Sequence, residues 1–96
     1  MKKQVIIKEH NIYNPHRAKD YVYDHRNIFS KYTRRYIFSS NPIIIKEIDV
    51  SPNDQKQYWY WVFLPNNKII IYQFDKNPNK KEIDNMLKDI EKEKTQ

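Results

Sequence analysis

The most apolar part of the chain runs from Gln57 to Asp75 and reads QYWYWVFLPNNKIIIYQFD. Residues 58–64 and 69–74 are two runs of aromatic and aliphatic side chains, and the turn-forming cluster at 65–68 separates them. Two β-rich runs around a short Pro/Asn turn are typical of a β-hairpin. Because successive side chains of a strand point to opposite faces, the first run is apolar on both faces. We therefore expect a sheet that needs a cover on each face, or a ligand on one.

The aromatic side chains at 58–61 have two interpretations. They could stack the bases of single-stranded nucleic acid, as OB-folds and RRM domains do. Basic residues that would track a phosphate backbone are not interleaved with them, however, since only Lys56 and Lys68 flank residues 57–67. A sheet in so small a protein also needs these rings for its core. The pattern therefore favours a core or a dimer interface over a stacking platform.

Residues outside the hairpin predict the other elements. A helix is expected to begin at Asn14-Pro15, because Asn caps helices and Pro fits the first helical position. Ser30 could cap a second helix, SKYTRRYIF, or one long helix could continue through this region, since apolar residues recur at helical spacing from Ala18 to Tyr36. The remaining predicted elements are a strand at 4–8, a strand at 43–50, a polar loop at 51–57 and a C-terminal amphipathic helix from 77 to 94.

These elements predict an α+β fold in a small single domain that spans residues 1–96. It has an N-terminal helix or helix pair, a three-stranded antiparallel sheet with a wing-like hairpin, and a C-terminal amphipathic helix. A ribbon-helix-helix arrangement, in which the N-terminal strand pairs with that of a second chain, is a minor alternative.

The composition bounds the class of protein. The chain has 96 residues, the size of one small domain, and it contains no cysteine. Ile, Lys, Asn, Tyr and Phe, whose codons are AT-rich, make up 50 of the 96 residues, so we expect an AT-rich genome, plasmid or virus as the source. No apolar run approaches the roughly 18 residues that a membrane span needs. We therefore expect a soluble, cytoplasmic protein.

The net charge of +6 is concentrated in one part of the chain. Residues 1–50 carry a net charge of +5, and residues 51–96 carry +1. The segment from His25 to Lys46 has no acidic residue, although it contains three of the four arginines. AT-rich codons do not favour arginine, so base composition does not explain this cluster. A one-sided basic field attracts polyanions such as nucleic acid.

The sequence Ser30-Lys31-Tyr32-Thr33-Arg34-Arg35 resembles the start of the recognition helix in winged helix-turn-helix proteins. A predicted helix precedes it and predicted strands follow it, in the order that this family uses, so the resemblance covers residues 14–64. It implies a double-stranded-DNA-binding protein whose recognition helix enters the major groove.

The resemblance also implies which residues contact DNA. The recognition helix would supply Lys31, Thr33, Arg34 and Arg35. Arg17 and Arg26 would hold phosphates, and the wing contact would come from Gln55 and Lys56, or from Lys68 in the hairpin turn. The expected target is AT-rich duplex, whose narrow minor groove attracts basic side chains. A homodimer is expected because one module of this size buries little DNA.

The sequence predicts a protein without enzymatic activity. It has no Gly-rich phosphate loop and no catalytic triad order, and the spacing of His10, His16 and His25 matches no metal site, so no cofactor is expected. We expect a transcription regulator, or an accessory factor at an origin of transfer or replication on an AT-rich mobile element such as a plasmid. The alternatives are a small basic ribonuclease of a toxin–antitoxin module and a phage or plasmid protein inhibitor.

Overall fold

The structure is a computed structural model that describes residues 1–7, 12–26 and 29–95. The elements, in chain order, are β1 (Lys2–Ile7), α1 (Pro15–His25), β2 (Tyr32–Ser40), β3 (Ile43–Val50), β4 (Lys56–Phe63), β5 (Lys68–Phe74) and α2 (Lys80–Lys94). The strands form one antiparallel sheet in the order β1-β5-β4-β3-β2. β4 therefore lies at its centre, and β1 and β2 lie at its edges.

The predicted hairpin is confirmed as β4 and β5. Phe63 pairs with Ile69, and the turn closes with a 2.9 Å hydrogen bond from the Leu64 amide to the Lys68 carbonyl. Asn67 has a φ of 61° in this turn. Asn occupies that left-handed conformation more readily than most residues, because its short polar side chain bonds locally. The turn residues thus determine how the two apolar runs pair.

One helix packs against each face of the sheet. Ala18 and Val22 of α1 pack in one apolar cluster with Trp61 of β4 and residues around it. Met86 and Ile90 of α2 belong to a second cluster on the opposite face. Residues 60–63 of the aromatic strand β4 are therefore buried between the two helices, as its two apolar faces predict, whereas residues 56–59 are exposed or half-buried.

Both helices begin at asparagine caps. The Asn14 side chain accepts a hydrogen bond from the His16 amide, and Pro15 occupies the first turn, which confirms the predicted start of α1. The predicted start of α2 at Asn77-Pro78 is slightly early, because Asn79 is the cap. Asn79 and Glu82 form a reciprocal capping box, which satisfies two amides that the first turn leaves without helical partners. Among the described residues, no helix is long and apolar enough to cross a membrane.

The prediction of a three-stranded sheet is wrong, since the sheet has five strands. One additional strand is β1, which pairs with β5 of the same chain rather than with a second chain. The strand predicted at 4–8 begins at Lys2, and Lys8 lies outside the described residues. The other additional strand is β2, which occupies the segment predicted as a recognition helix.

Pairing with the following strand explains why this segment is a strand. Five of its nine residues are aromatic or β-branched, and its residues alternate between exposed and half-buried, which suits a pleated surface. A turn at 41–42, where the Asn41–Pro42 peptide bond is cis, brings it beside β3. The two strands then pair from Tyr32↔Val50 to Ser40↔Ile43. The helical spacing of apolar residues from α1 into β2 is therefore a local pattern that the sheet overrides.

Candidate nucleic-acid interface

The two faces of β2 carry different chemistry. On one face, Thr33 and Arg35 are half-buried and point toward α1. On the other face, Tyr32, Arg34 and Tyr36 are exposed. Because side chains alternate along a strand, the adjacent residues Arg34 and Arg35, both predicted to contact DNA, lie on opposite faces of the sheet.

The α1 side of the sheet holds a buried ion-pair cluster. The Glu47 carboxylate, which is 0% exposed, lies 2.6 Å from Arg35 Nε and 2.7 Å from Arg26 Nε. Arg26 Nη2 also donates a 2.8 Å hydrogen bond to Asp49. The Arg26 guanidinium lies 3.7 Å from the centre of the Trp59 ring. These contacts fix the chain just after α1 to the sheet.

The pKa of Glu47 depends on its burial and on the charged groups beside it. Burial and the neighbouring charge of Asp49 raise the pKa of Glu47 to about 7, although Arg26 and Arg35 act in the opposite direction. The two guanidiniums in turn have partners within the fold. Arg26 and Arg35 are therefore occupied in holding α1, β2 and β3 together.

The opposite side of β2, β3 and β4 is only partly covered, because α2 packs mainly over β4 and β5. Tyr32 is 50% exposed there, and Tyr36 and Phe38 are 37% and 38% exposed. Arg34 and Lys56 are exposed, whereas Lys46, Ile48 and Tyr58 are half-buried. We call this surface the open face; its residues are Tyr32, Arg34, Tyr36, Phe38, Lys46, Ile48, Lys56 and Tyr58.

Lys46 lies at the centre of the open face among tyrosine rings. Its Nζ is 6.0 Å from the ring centre of Tyr36, 5.7 Å from that of Tyr58 and 5.2 Å from that of Tyr60. Burial lowers the pKa of Lys46, but its interactions with the hydroxyls of Tyr60 and Tyr36 outweigh this effect and leave the pKa raised. The ammonium is therefore charged at neutral pH and is held beside the rings by cation–π attraction.

Arg34 and Tyr32 form a second cation–aromatic unit at the sheet edge. Arg34 Nε and Nη2 donate hydrogen bonds of 3.0 Å and 2.7 Å to the Tyr32 hydroxyl. A guanidinium has five N–H donors, so donors remain that can face a phosphate. The tyrosine thus orients the guanidinium and leaves it open to a ligand.

The open face is cationic because the sheet separates the charges. Glu47 and Asp49 alternate with Lys46 and Ile48 along β3, so both carboxylates point to the α1 side. None of the residues that form the open face is acidic, and three of them are Arg or Lys. The α1 side is neutralised by its ion pairs, whereas this side presents positive charge together with aromatic rings.

The other residues predicted to contact DNA lie in different places. Lys56 belongs to the open face, and Lys31 is exposed near it, where Lys31 forms a 3.2 Å ion pair with Asp54. Gln55 is exposed in the β3–β4 loop, and Thr33 shares a short hydrogen bond with Ser30.

Two further cations lie away from the open face. Arg17 is exposed on α1, behind the sheet. Lys68 is buried and forms a 3.1 Å ion pair with Glu93, which ties β5 to the last turn of α2. The structure therefore brings Arg34, Lys31, Lys56 and Gln55 to one side of the molecule and separates Arg17, Arg26, Arg35 and Lys68 from them.

Sequence reasoning missed the tyrosines and Lys46 of the open face. The 4-residue spacing of Tyr32 and Tyr36 also fits one side of a helix, which is where the predicted second helix would place them. The period-2 series Tyr32-Arg34-Tyr36 was the signal that could have identified an aromatic and basic strand surface. His10, considered as a metal ligand, lies outside the described residues.

A cleft of about 510 Å³ lies away from the open face, near the start of β3 and the β4–β5 turn. It is lined by apolar and amide side chains such as Ile12, Phe63 and Asn66, and Lys94 is the charged residue among those that line it. The charge and the exposed rings therefore place the candidate site on the open face rather than in this cleft.

Comparison with family models, curated proteins and solved structures found no significant match to this chain. The function is therefore inferred from the chain's own residues.

Proposed function

We propose that this protein binds nucleic acid through the open face, without catalysing a reaction on it. The observation that supports this is the segregation of charge across β3, which leaves Arg34, Lys46 and Lys56 on a surface that carries no carboxylate of its own. Basic side chains that contact phosphates release condensed counterions, and this provides most of the sequence-independent affinity. Exposed aromatic rings beside the cations distinguish this surface from an ordinary solvated basic face.

The proposed contact differs from the one that the winged-helix resemblance implies. Residues 32–40 are a strand, so binding does not use a recognition helix at this position. The cations of the open face instead lie on three adjacent strands and face outward together. Double-stranded DNA stays a candidate ligand, and the expected homodimer stays a prediction that sedimentation of the free protein and of the complex would check.

A salt series tests the proposal. Fluorescence anisotropy of labelled oligonucleotides, both single-stranded and duplex, would be measured between about 50 and 200 mM salt. Each phosphate contact contributes about 0.7–0.9 to the slope of log affinity against log salt, so three contacts predict a slope of about −2 to −3. A slope near zero for every oligonucleotide would contradict the proposal.

Arg34→Ala and Arg17→Ala form a matched pair for this test. Both side chains are exposed arginines, but α1 places Arg17 on the opposite side of the sheet. Arg34→Ala should weaken binding and reduce the salt slope by about 1, whereas Arg17→Ala should leave both unchanged. Equal losses for the two variants would assign binding to a different surface. Cleavage of labelled RNA in the same samples would favour the ribonuclease alternative.

A further inference from the structure

The rings of the open face can stack on bases only if the ligand has unpaired bases. In a duplex the bases are stacked on each other and are reached through the grooves, and the major groove admits a helix or a two-stranded ribbon. The open face instead belongs to three neighbouring strands inside a five-stranded sheet, with α2 packed beside them. Such a surface cannot enter a groove, so its rings would meet only the outside of a duplex.

The spacing of the rings suits a strand laid along β2. Tyr32 and Tyr36 are four residues apart on the same face, which corresponds to about 13 Å along an extended strand. Arg34 lies between them, and its guanidinium is held by the Tyr32 hydroxyl. Along β2, two rings therefore flank one cation. Bases and phosphates alternate in a similar way along an extended nucleic acid.

The centre of the face repeats this arrangement across the sheet. The Lys46 ammonium lies between the rings of Tyr36 on β2 and Tyr58 on β4. Lys56 follows at the exposed end of β4, two residues before Tyr58 on the same face. A chain that crosses from β2 to β4 would thus meet rings and cations in turn.

We propose that the open face binds single-stranded nucleic acid, with unpaired bases stacked on Tyr36 and Tyr32 and the backbone phosphates held by Arg34, Lys46 and Lys56. This inference rests on the nucleic-acid binding proposed above and narrows it to one class of ligand. Stacking of a base on an aromatic side chain tolerates any base, because every base has a flat π surface. The bound strand is therefore expected to be selected by its lack of pairing rather than by its sequence.

Three ligands of equal length separate base stacking from phosphate contact. They are an oligothymidylate of about 12 nucleotides, a length within the range of small single-strand-binding domains, the corresponding duplex, and a strand of abasic nucleotides. The thymidylate should bind at least about tenfold more tightly than either of the other two at the same salt concentration. An oligouridylate arm reports whether RNA binds as well as DNA.

Variants of Tyr36 test the role of the ring. Tyr36→Ala should weaken binding of the thymidylate by about 5- to 150-fold, the range that loss of one stacked base produces, and should leave the abasic strand unaffected. Tyr36→Phe keeps the ring and should bind nearly as the natural chain does. Tyr13→Ala removes a 72% exposed tyrosine away from the open face and should have no effect.

The outcomes of the two proposals are distinct. Equal affinity for thymidylate, duplex and abasic strand, with the salt slope retained, would overturn base stacking and leave nucleic-acid binding in place. Loss of the salt slope for all three ligands would overturn both. Displacement of the thymidylate by polyglutamate as effectively as by unlabelled thymidylate would show that the face recognises charge alone, and would also overturn the inference. Urea unfolding of each variant confirms that the fold is retained.

Discussion

At the scale of the residue, neighbours in the sequence have different tasks because β2 is a strand. Arg34 is exposed on the open face, where it contacts the Tyr32 ring hydroxyl. Arg35 is directed to the other face, where its side chain is 14% exposed and forms an ion pair with the buried Glu47. The Arg34 guanidinium can therefore bind a ligand, whereas the Arg35 guanidinium stabilises the fold.

Alanine substitutions at these two positions should therefore affect different properties, stability for Arg35 and nucleic-acid binding for Arg34. Arg35→Ala leaves the buried Glu47 with one cation fewer and should lower the free energy of unfolding by about 2–3 kcal/mol at pH 7, below the full cost of breaking a buried pair because Arg26 is retained. Arg34→Ala should leave the free energy of unfolding unchanged and weaken nucleic-acid binding. Urea unfolding and anisotropy would be measured on both. A larger loss of unfolding free energy for Arg34→Ala than for Arg35→Ala would contradict the assignment of Arg35 to the buried ion pair and of Arg34 to the open face.

Trp59 and Tyr58 show which rings of β4 belong to the open face. Its ring is covered by the Arg26 guanidinium at 3.7 Å on the α1 side, so it does not belong to the open face. Tyr58, the preceding residue, points to the opposite side beside Lys46. Only alternate rings of the aromatic strand can therefore contribute to ligand binding.

At the scale of the element, α2 decides how much of the sheet is left open. Met86 and Ile90 are fully buried against the sheet, whereas Leu87 is 39% exposed on the side that borders β3 and the end of β2. The pairs Tyr72–Asp89 and Lys68–Glu93 hold the other side of the helix over β5. The helix is thus displaced toward β5, and the β2 side of the same face stays exposed.

Met86→Ala and Leu87→Ala test this placement of α2. Met86→Ala removes a side chain from the centre of the cluster and should cost about 2–5 kcal/mol in the free energy of unfolding. Leu87→Ala alters a border position and should cost less than about 1 kcal/mol. Urea unfolding measures both. If the two adjacent substitutions had equal costs, α2 would not pack through the face described.

β2 shows why one element escaped sequence-based prediction. Its apolar residues match a helix when they are read with those of α1, and they match a strand when they are read alone. The decision comes from β3, whose eight residues can pair with it, and from the intervening turn. The β2–β3 hairpin is as contiguous as the β4–β5 hairpin, but its Asn-Pro turn also fits the end of a helix, so the local pattern matched both structures, whereas the two runs of β4 and β5 matched strands alone.

At the scale of the whole molecule, buried and ion-paired carboxylates make the free energy of unfolding depend on pH in opposite directions. Hydrogen bonds from Lys3 lower the pKa of Asp89 and of Glu93, so the folded state releases these protons more readily than the unfolded state. Burial raises the pKa of Glu47 to about 7 from an ordinary value of 4.5, so the folded state retains this proton longer. The first group destabilises the fold as the pH falls below about 4.5, and Glu47 destabilises it as the pH rises from about 4.5 to 7.

The free energy of unfolding is therefore expected to be highest near about pH 5. Above this pH, ionisation of Glu47 should lower it by up to about 3 kcal/mol by pH 7.5. Glu47→Gln keeps the shape of the side chain and removes its titration, so the decline between pH 5 and 7.5 should be absent in that variant. Urea midpoints across pH 4–8 check this expectation. A decline of the same size in Glu47→Gln would assign it to other groups.

The centre of this protein can be predicted from its local sequence. The stretch Gln57–Asp75 contains its own strands and turn, and its two apolar faces required the cover that α1 and α2 provide. The Asn cap of α1 and the α+β class also followed from local signals. These features depend on interactions between residues that are close in the chain, so a single sequence shows them.

Which cations are available to a ligand depends on how the strands pair. Arg26 and Arg35 are as basic in the sequence as Arg34, but the pairing of β2 with β3 directs Arg35 toward Glu47 and brings Arg26 against Glu47 and Asp49. The same pairing gathers Tyr32, Tyr36 and Lys46 on the other face. Charge can be counted along a chain, but its exposure depends on which strand lies beside which. The open face is therefore a product of the strand pairing in the β2–β3 and β3–β4 hairpins.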